Sequence, residues 1–356
     1  ARLAALGRAR GLEAVAVQPV YQLAPGETEQ RRLLQAIDRN CLLEEVSLPP
    51  ERCWLSPAEM ARRFAAFPEA LARTGEIATR CGPALPEGSS IWPALDLPRP
   101  AAEELARQAE EGLRTRYPAG GEDAAARLQQ ELAAINRHGF APLFLVVADI
   151  VRFAKEAGIP VSTRGSVANC LVAYCLGITG VDPLAHDLLF ERFLNPARAS
   201  LPDIDLDFCS RRRAEVLAYV RRTYGEDRVA LVATVTTLQP RSAVRETAKA
   251  FGYDEASMKR LARLLPHGWH PDPRRRSGRT LDDVLAEVTD ARDRATLAAA
   301  FALVGQPHHL SVHPGGLVIA PGPLASVVPV QIAPKGFLIT QYDHHDVEAI
   351  GLPKLD

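Results

Sequence analysis

From Leu201 to Phe208 apolar and acidic residues follow a period of two, Leu201-Pro202-Asp203-Ile204-Asp205-Leu206-Asp207-Phe208. That period predicts a β-strand with the three aspartates on one face and Ile204, Leu206 and Phe208 on the other. Elsewhere apolar positions recur at helical spacing, which predicts helices over Ala101–Arg116, Asp123–His138 and Pro142–Ala157. Ser56-Pro57-Ala58-Glu59 is a capping box with proline at the first helical position, so a helix starts there and runs towards Phe67. A second helix is expected over Pro68–Arg80. The first 45 residues predict a helix, a short strand Ala14–Val17 and a helix from near Glu27, and the proline- and glycine-rich stretch 82–100 reads as a connector. Ile159-Pro160-Val161 predicts a short strand, Ser162–Ser166 a turn, and Val167–Leu176 a helix. Helix Arg211–Tyr224 and strand Val229–Val235 follow. Residues 241–304 read as helical, broken by a loop His267–Arg279. His313–Asp356 reads as short strands with glycine and proline turns, ending on the strand-like run Ala349–Leu355. Interleaved strands and helices predict an α/β (α+β) fold: a mixed sheet with a helical insertion.

The chain has 356 residues, which favours two or three domains, and its 47% hydrophobic and 24% charged content suits a packed core. A formal net charge of −1 gives no global positive field, so any contact with nucleic acid has to come from local basic patches. None of the six cysteines forms a CxxC pair, which argues against a zinc site. So few cysteines in so long a chain also argue against a disulfide framework and fit a reducing, cytoplasmic setting. No signal peptide and no apolar run of bilayer length is visible, so no membrane partner is expected. The chain starts without methionine inside a helical pattern and stops after a strand-like run, and it reads as a fragment.

Asp203, Asp205 and Asp207 on one strand face repel one another unless cations lie between them, and magnesium is a hard cation that takes oxygen ligands. Asp-x-Asp on a strand is a common way to hold the two metal ions that clamp the attacking and leaving oxygens of phosphoryl transfer. The plainer alternative is a solvated outer face. A calcium loop is excluded because Phe208 stands where the loop needs glycine. Arg164-Gly165-Ser166, between a strand and a helix, offers backbone N–H groups and a hydroxyl to an anion such as a triphosphate. Taken alone that turn is a weak signal. The order of Gly-Ser turn, Asp-x-Asp strand and further strand acid resembles the polymerase-β-like nucleotidyltransferase palm.

The text RGSVANCLVAYCLGITGVDPLAHDLLFERFLNPARASLPDIDLDF, followed by HPGGLVIAPGPL and TQYDHHDVEAIGLPKLD, closely resembles the alpha subunit of bacterial DNA polymerase III, the C-family DNA polymerases. The resemblance runs from about Ser56 onward, and the second and third motifs are as similar to the error-prone type as to the main replicase. It implies a DNA-directed DNA polymerase that extends a primer 3′-hydroxyl from dNTPs with two Mg2+ ions on primer-template DNA. It implies that Asp203 and Asp205 are metal-binding, with Asp356 the third such aspartate, and that Asp207 is a bystander. Gly165 and Ser166 match the triphosphate turn, and Lys354 is expected to reach phosphate. Arg164 and Arg192 are candidates for countering triphosphate charge, although a structural ion pair explains either equally well. Arg241, Arg245, Arg274, Arg275 and Arg276 are candidate DNA contacts, the plainer reading of the loop that holds the last three being an exposed basic turn.

The domains implied are a C-terminal remnant of a PHP domain (1–50), a helical linker region (51–100), the palm in two parts (101–236 and 311–356), and a thumb (237–310) between them. Gln18-Pro19-Val20-Tyr21 stands where the family often carries an Asp-x-His metal pair, so neither a PHP-type metal site nor proofreading is expected. The family's sliding-clamp and other replisome or repair partners bind through regions absent here, and the free chain is expected to be inactive or very feeble. Pro353 cannot donate to a ladder, so the last strand should be an edge or irregular. Two other readings stay open: a non-catalytic DNA-binding or assembly module derived from such a polymerase, and a nucleotidyltransferase for a small substrate.

Overall fold

A computed structural model describes residues 2–48, 52–82, 85, 90–194, 204–266 and 278–356. In chain order come helices α1 (Arg2–Ala9), α2 (Thr28–Arg39), α3 (Pro57–Arg63), α4 (Pro68–Arg80), α5 (Ala101–Arg116), α6 (Glu122–Arg137) and α7 (Ala141–Glu156). Strand β1 (Val161–Arg164), helix α8 (Leu171–Cys175), strand β2 (Asp205–Phe208), helix α9 (Arg213–Tyr224) and strand β3 (Val229–Thr237) follow. Then come α10 (Pro240–Ala250), α11 (Glu255–Arg263), α12 (Leu281–Glu287) and α13 (Ala291–Ala302). The chain closes with β4 (Pro307–Ile319), β5 (Val330–Ile332), β6 (Leu338–Thr340), α14 (His344–Ala349) and β7 (Lys354–Leu355). The fold is thus a mixed α/β one. It divides into two compact units, Ala1–Ala84 with Thr236–His309, and Leu85–Val235 with Leu310–Asp356.

The second unit holds a five-stranded sheet in the order β5-β6-β3-β4-β7. β3 and β6 run parallel, while β5–β6 and β4–β7 are antiparallel, so the sheet is mixed. The run Val229-Ala-Leu-Val-Ala233 is apolar at every position because both faces are covered. Val229 and Leu231 join one core with Leu317, Ile339 and Leu355, whereas Ala230 and Val232 join another with Val318, Val347 and Leu352. Helix α7 is apolar nearly all round and lies inside the first of these cores, with Phe144, Val147 and Ala154 fully buried. Burying a side chain of Phe144's size contributes roughly 1.5–3 kcal/mol. Asp149 interrupts this run, and its carboxylate accepts from the hydroxyls of Tyr219 and Tyr224 at 2.8 and 2.9 Å.

Glu104, in the first turn of α5, is buried, and its carboxylate accepts from Arg107 at 2.7 Å and Gln108 at 2.8 Å, with Arg99 at 3.2 Å. The Arg107 hydrogen bonds, foremost, hold this carboxyl down at about 2. A carboxyl depressed on folding stabilises the fold above its ordinary pKa and loses that contribution as pH falls through the folded value. Glu104→Gln should therefore lower the urea midpoint clearly at pH 7, and the gap to the parent should close between about pH 4.5 and about 2. A gap of the same size at pH 7 and pH 3 would contradict this account.

In the first unit, Leu33 and Ala36 of α2 share a core with Val244, Leu261, Leu297 and Leu303 of the helices after β3. A bidentate pair of Arg260 with Asp293, at 2.6 and 3.1 Å, ties α11 to α13. Ser56 caps α3 as its sequence predicts, accepting from the Glu59 N–H while the Glu59 carboxylate accepts from the Ser56 N–H.

Several local expectations need correction. Residues 14–17 form no strand: the Ala16 N–H donates to the Ala70 carbonyl and the Ala16 carbonyl accepts from Thr74 Oγ1. The helix expected over Val167–Leu176 is split: a 3-10 segment Gly165–Asn169 ends at an extended Cys170, and α8 starts afresh. Part of 162–166 is strand rather than turn, because β1 reaches Arg164. The C-terminal section contains α14, whose Asp343 carboxylate accepts from the His345 and Asp346 N–H groups, and only Lys354–Leu355 of the run 349–355 is strand. β7 lies at an edge of the sheet, which spares Pro353 any ladder bond.

Candidate active site

β1 and β2 form a two-stranded antiparallel pair in which Arg164 faces Asp205 and Ser162 faces Asp207. Asp205 is half-buried and Asp207 exposed. The Arg164 guanidinium makes an ion pair with the Asp207 carboxylate, diagonally across the pair. The edge strand β7 delivers Asp356 to the same place, where its carbonyl accepts from the Leu206 N–H at 2.9 Å. Residues far apart in the chain, Asp205 and Asp356, thereby line one cavity of about 490 Å3. Arg164, Asp207, Ser210, Arg213 and His313 share its polar wall, and Phe208, Val216, Leu217 and Val220 are among its apolar lining.

Asp356 is held from one side. Its Oδ2 is 2.7 Å from Lys354 Nζ, one alternate position back along the strand, as the period of two requires. Its Oδ1 is buried and, among the described residues, receives no hydrogen bond. His313 does not supply one: the 3.7 Å between its Nδ1 and Oδ1 is too long, and Nδ1 instead accepts from the Gly316 N–H at 2.6 Å and the Gly315 N–H at 3.2 Å. Burial, first of all, pushes the His313 imidazole below its ordinary value, with Lys354, His344 and Arg213 adding to the effect against Asp356. One long strand, β4, stands where short ones are expected near 313. After Pro314 the two glycine N–H groups turn to the His313 ring, and β4 continues through the irregularity. A side chain at Gly316 would lie 3.0 Å from Lys354 Cδ and 3.2 Å from Asp356 Oδ1, so the glycine lets the backbone approach this carboxylate.

A buried carboxylate oxygen without a donor is costly unless a cation serves it. With Asp205 on the same wall, the donor set is all oxygen and suits a hard divalent ion. Among the described residues no three His, Cys, Asp or Glu side chains are already grouped as a metal site. Asp203, the other expected ligand, lies outside the described residues.

The remaining expected residues are placed as follows. Gly165, at φ +81°, turns the chain directly after β1, and Ser166 follows in the 3-10 segment; neither lines the cavity. Arg192 ends a 3-10 turn, Phe190–Arg192, and is exposed. Arg241 and Arg245 belong to the first unit and line a shallow groove with Glu255 and Lys259, and Arg245 pairs with Glu246 at 2.9 Å. Arg274, Arg275 and Arg276 lie outside the described residues. His313 and Arg213 also line the cavity and are not among the residues expected from the sequence. The His-Pro-Gly-Gly wording was the available signal for the first, while a third arginine in a basic run gave none for the second.

The profile of the family described as "Bacterial DNA polymerase III alpha NTPase domain" matches residues 103–356. The chain belongs to this family. Its sequence is 40% identical to the error-prone DNA polymerase of Symbiobacterium thermophilum, across 99% of the chain and 33% of that protein. It is 39% identical to the DNA polymerase III subunit alpha of Halalkalibacterium halodurans, across 96% of the chain and 31% of that protein. With the subunit alpha of Escherichia coli K12 the identity is 35%, across 99% of the chain and 32% of the relative. The chain thus spans about a third of the length of these family members, and both the replicative and the error-prone type are similar to it. No single helix among the described residues is long and apolar enough to cross a membrane.

Proposed function

We propose that this chain carries the catalytic palm of a DNA-directed DNA polymerase, which adds deoxynucleotides to a primer 3′-hydroxyl in replication or error-prone repair synthesis. The observation that carries the reading is the meeting of Asp205 with Asp356, whose buried Oδ1 lacks a donor, on one cavity wall. Asp203, Asp205 and Asp356 would hold two Mg2+ ions, which when bound supply Lewis-acid chemistry at the attacking and leaving oxygens of an in-line displacement. The chain's own residues then fix the geometry. The β1–β2 pair holds Asp205 and β7 brings in Asp356, Lys354 orients the Asp356 carboxylate, and Gly316 allows the close approach. Gly165 and Ser166 offer a hydroxyl and backbone N–H groups to the triphosphate, with Arg164 and Arg192 as countercharges. The primer hydroxyl attacks the α-phosphate and pyrophosphate departs. The base is chosen by template pairing.

On this reading residues 101–236 and 311–356 form the palm and 237–310 the thumb, whose Arg241, Arg245 and Arg274–Arg276 meet duplex phosphates. Residues 1–50 are a PHP remnant and 51–100 a linker. Clamp and other replisome or repair contacts belong to segments beyond this third of the family length.

The test is Mg2+-dependent extension of a primer-template by the full-length polymerase carrying this chain. Binding of the junction without extension would favour the non-catalytic module instead. Lys354→Met removes the partner of a half-buried carboxylate, one oxygen of which is buried. Extension at saturating dNTP is expected to fall by about tenfold to a hundredfold, or about 1.4–2.8 kcal/mol of barrier. An unchanged rate would remove Lys354 from the site.

A further inference from the structure

Arg127 and Glu131 stand one turn apart on α6, away from the cavity, and they are joined by Nε–H···Oε1 at 2.7 Å. The Glu131 side chain is fully buried. Its other oxygen accepts from the Val172 N–H at 3.1 Å and the Cys170 S–H at 3.2 Å, at the point where α8 starts afresh. The Arg127 fork reaches further: Nη2 donates to the Asn169 carbonyl at 3.1 Å and to the Leu188 carbonyl at 2.9 Å. Asn169 in turn donates from Nδ2 to the Ser166 carbonyl at 2.8 Å. One guanidinium therefore ties together two chain segments that lie side by side, the Gly165–Asn169 turn and the approach to Phe190–Arg192.

A buried ion pair is a poor way to gain stability, because apolar residues of equal volume commonly do as well. What apolar residues cannot do is hold two carbonyls at fixed directions, which a planar guanidinium does. Glu131 keeps that guanidinium in place, and burial raises its own carboxyl while Arg127 opposes the shift.

We propose that the Arg127–Glu131 pair positions the incoming nucleotide without touching it, by locking the Gly165–Ser166 turn against the Phe190–Arg192 turn. The inference rests on the reading of those two turns as the triphosphate site. Arg127 and Glu131 are positioning residues, acting through the carbonyls of Asn169 and Leu188.

The experiment is steady-state primer extension by the full-length polymerase carrying this chain, with KM for the incoming dNTP and kcat measured separately. Arg127→Lys keeps the charge and loses the fork. It should raise KM about tenfold and change kcat less than threefold. Asn169→Ala cuts only the tie to Ser166 and should raise KM about threefold, which keeps the test available if Arg127→Lys folds poorly. Ser166→Ala and Arg192→Ala are the controls for the underlying reading. If those two raise KM while Arg127→Lys and Asn169→Ala merely reduce the active fraction at unchanged KM, the pair is structural and the inference falls. If neither control moves KM, the triphosphate reading fails first and takes the inference with it.

Discussion

Primer extension is expected to fall about a thousandfold, some 4 kcal/mol of barrier, in Asp205→Ala and in Asp356→Ala, and only severalfold in Asp207→Ala. The three differ in environment and not in chemistry. Asp356 offers a buried oxygen that no described donor serves, and Asp205 is half-buried on the same cavity wall. Asp207 is exposed and already has a cation, the Arg164 guanidinium. An exposed ion pair is worth little, so its removal frees Arg164 without exposing anything costly. Asp203→Ala, at a position outside the described residues, joins the assay because the family resemblance assigns it a metal. The reading of this site fails if Asp205→Ala and Asp356→Ala extend the primer as well as the parent. A loss in Asp207→Ala equal to that in Asp205→Ala would instead make Asp207 a working member of the site.

The second large effect is on stability. Gly112 lies inside α5, where replacing glycine by alanine ordinarily stabilises a helix by about 1 kcal/mol. Here the sign should reverse. A Cβ on Gly112 would sit 2.0 Å from the Cys175 carbonyl oxygen and 2.6 Å from its carbon, at the close approach of α5 to α8. Both are backbone atoms and have no rotamer to move into. One helix must shift, and Gly112→Ala should destabilise the fold by about 3 kcal/mol, lowering the unfolding midpoint in urea or heat. A midpoint equal to or above that of the parent would show that α5 and α8 do not pack this closely.

Local chemistry made much of the fold readable. α5 occupies the span its periodicity marked, α6 and α7 lie within a residue of theirs, and the Ser56 capping box forms as written. The period-two run placed Asp205 and Asp207 on one strand. α14 carries a local signal as well, since Asp343 and Asp346 have capping-box spacing. Propensity and periodicity act over a few residues, and each of these features is settled within that range.

What the sequence left open depends on partners distant in the chain. Whether 167–176 made one helix was decided by Glu131, some forty residues earlier, whose buried carboxylate meets the start of α8. Which aspartates enter the cavity could not be read from their identical side chains. Asp205 and Asp207 both line it, but Asp207 is exposed and paired with Arg164, whereas half-buried Asp205 shares the wall with Asp356, about 150 residues downstream. The pleat fixes only which residues share a face; burial is set by what packs against that face. The sequence by itself determined the long helices, the aspartate strand and the kinds of chemistry they carry, and only the tertiary structure brought Asp356, Lys354 and His313 to the aspartate strand, because close packing of separate elements is where desolvation and charge act together.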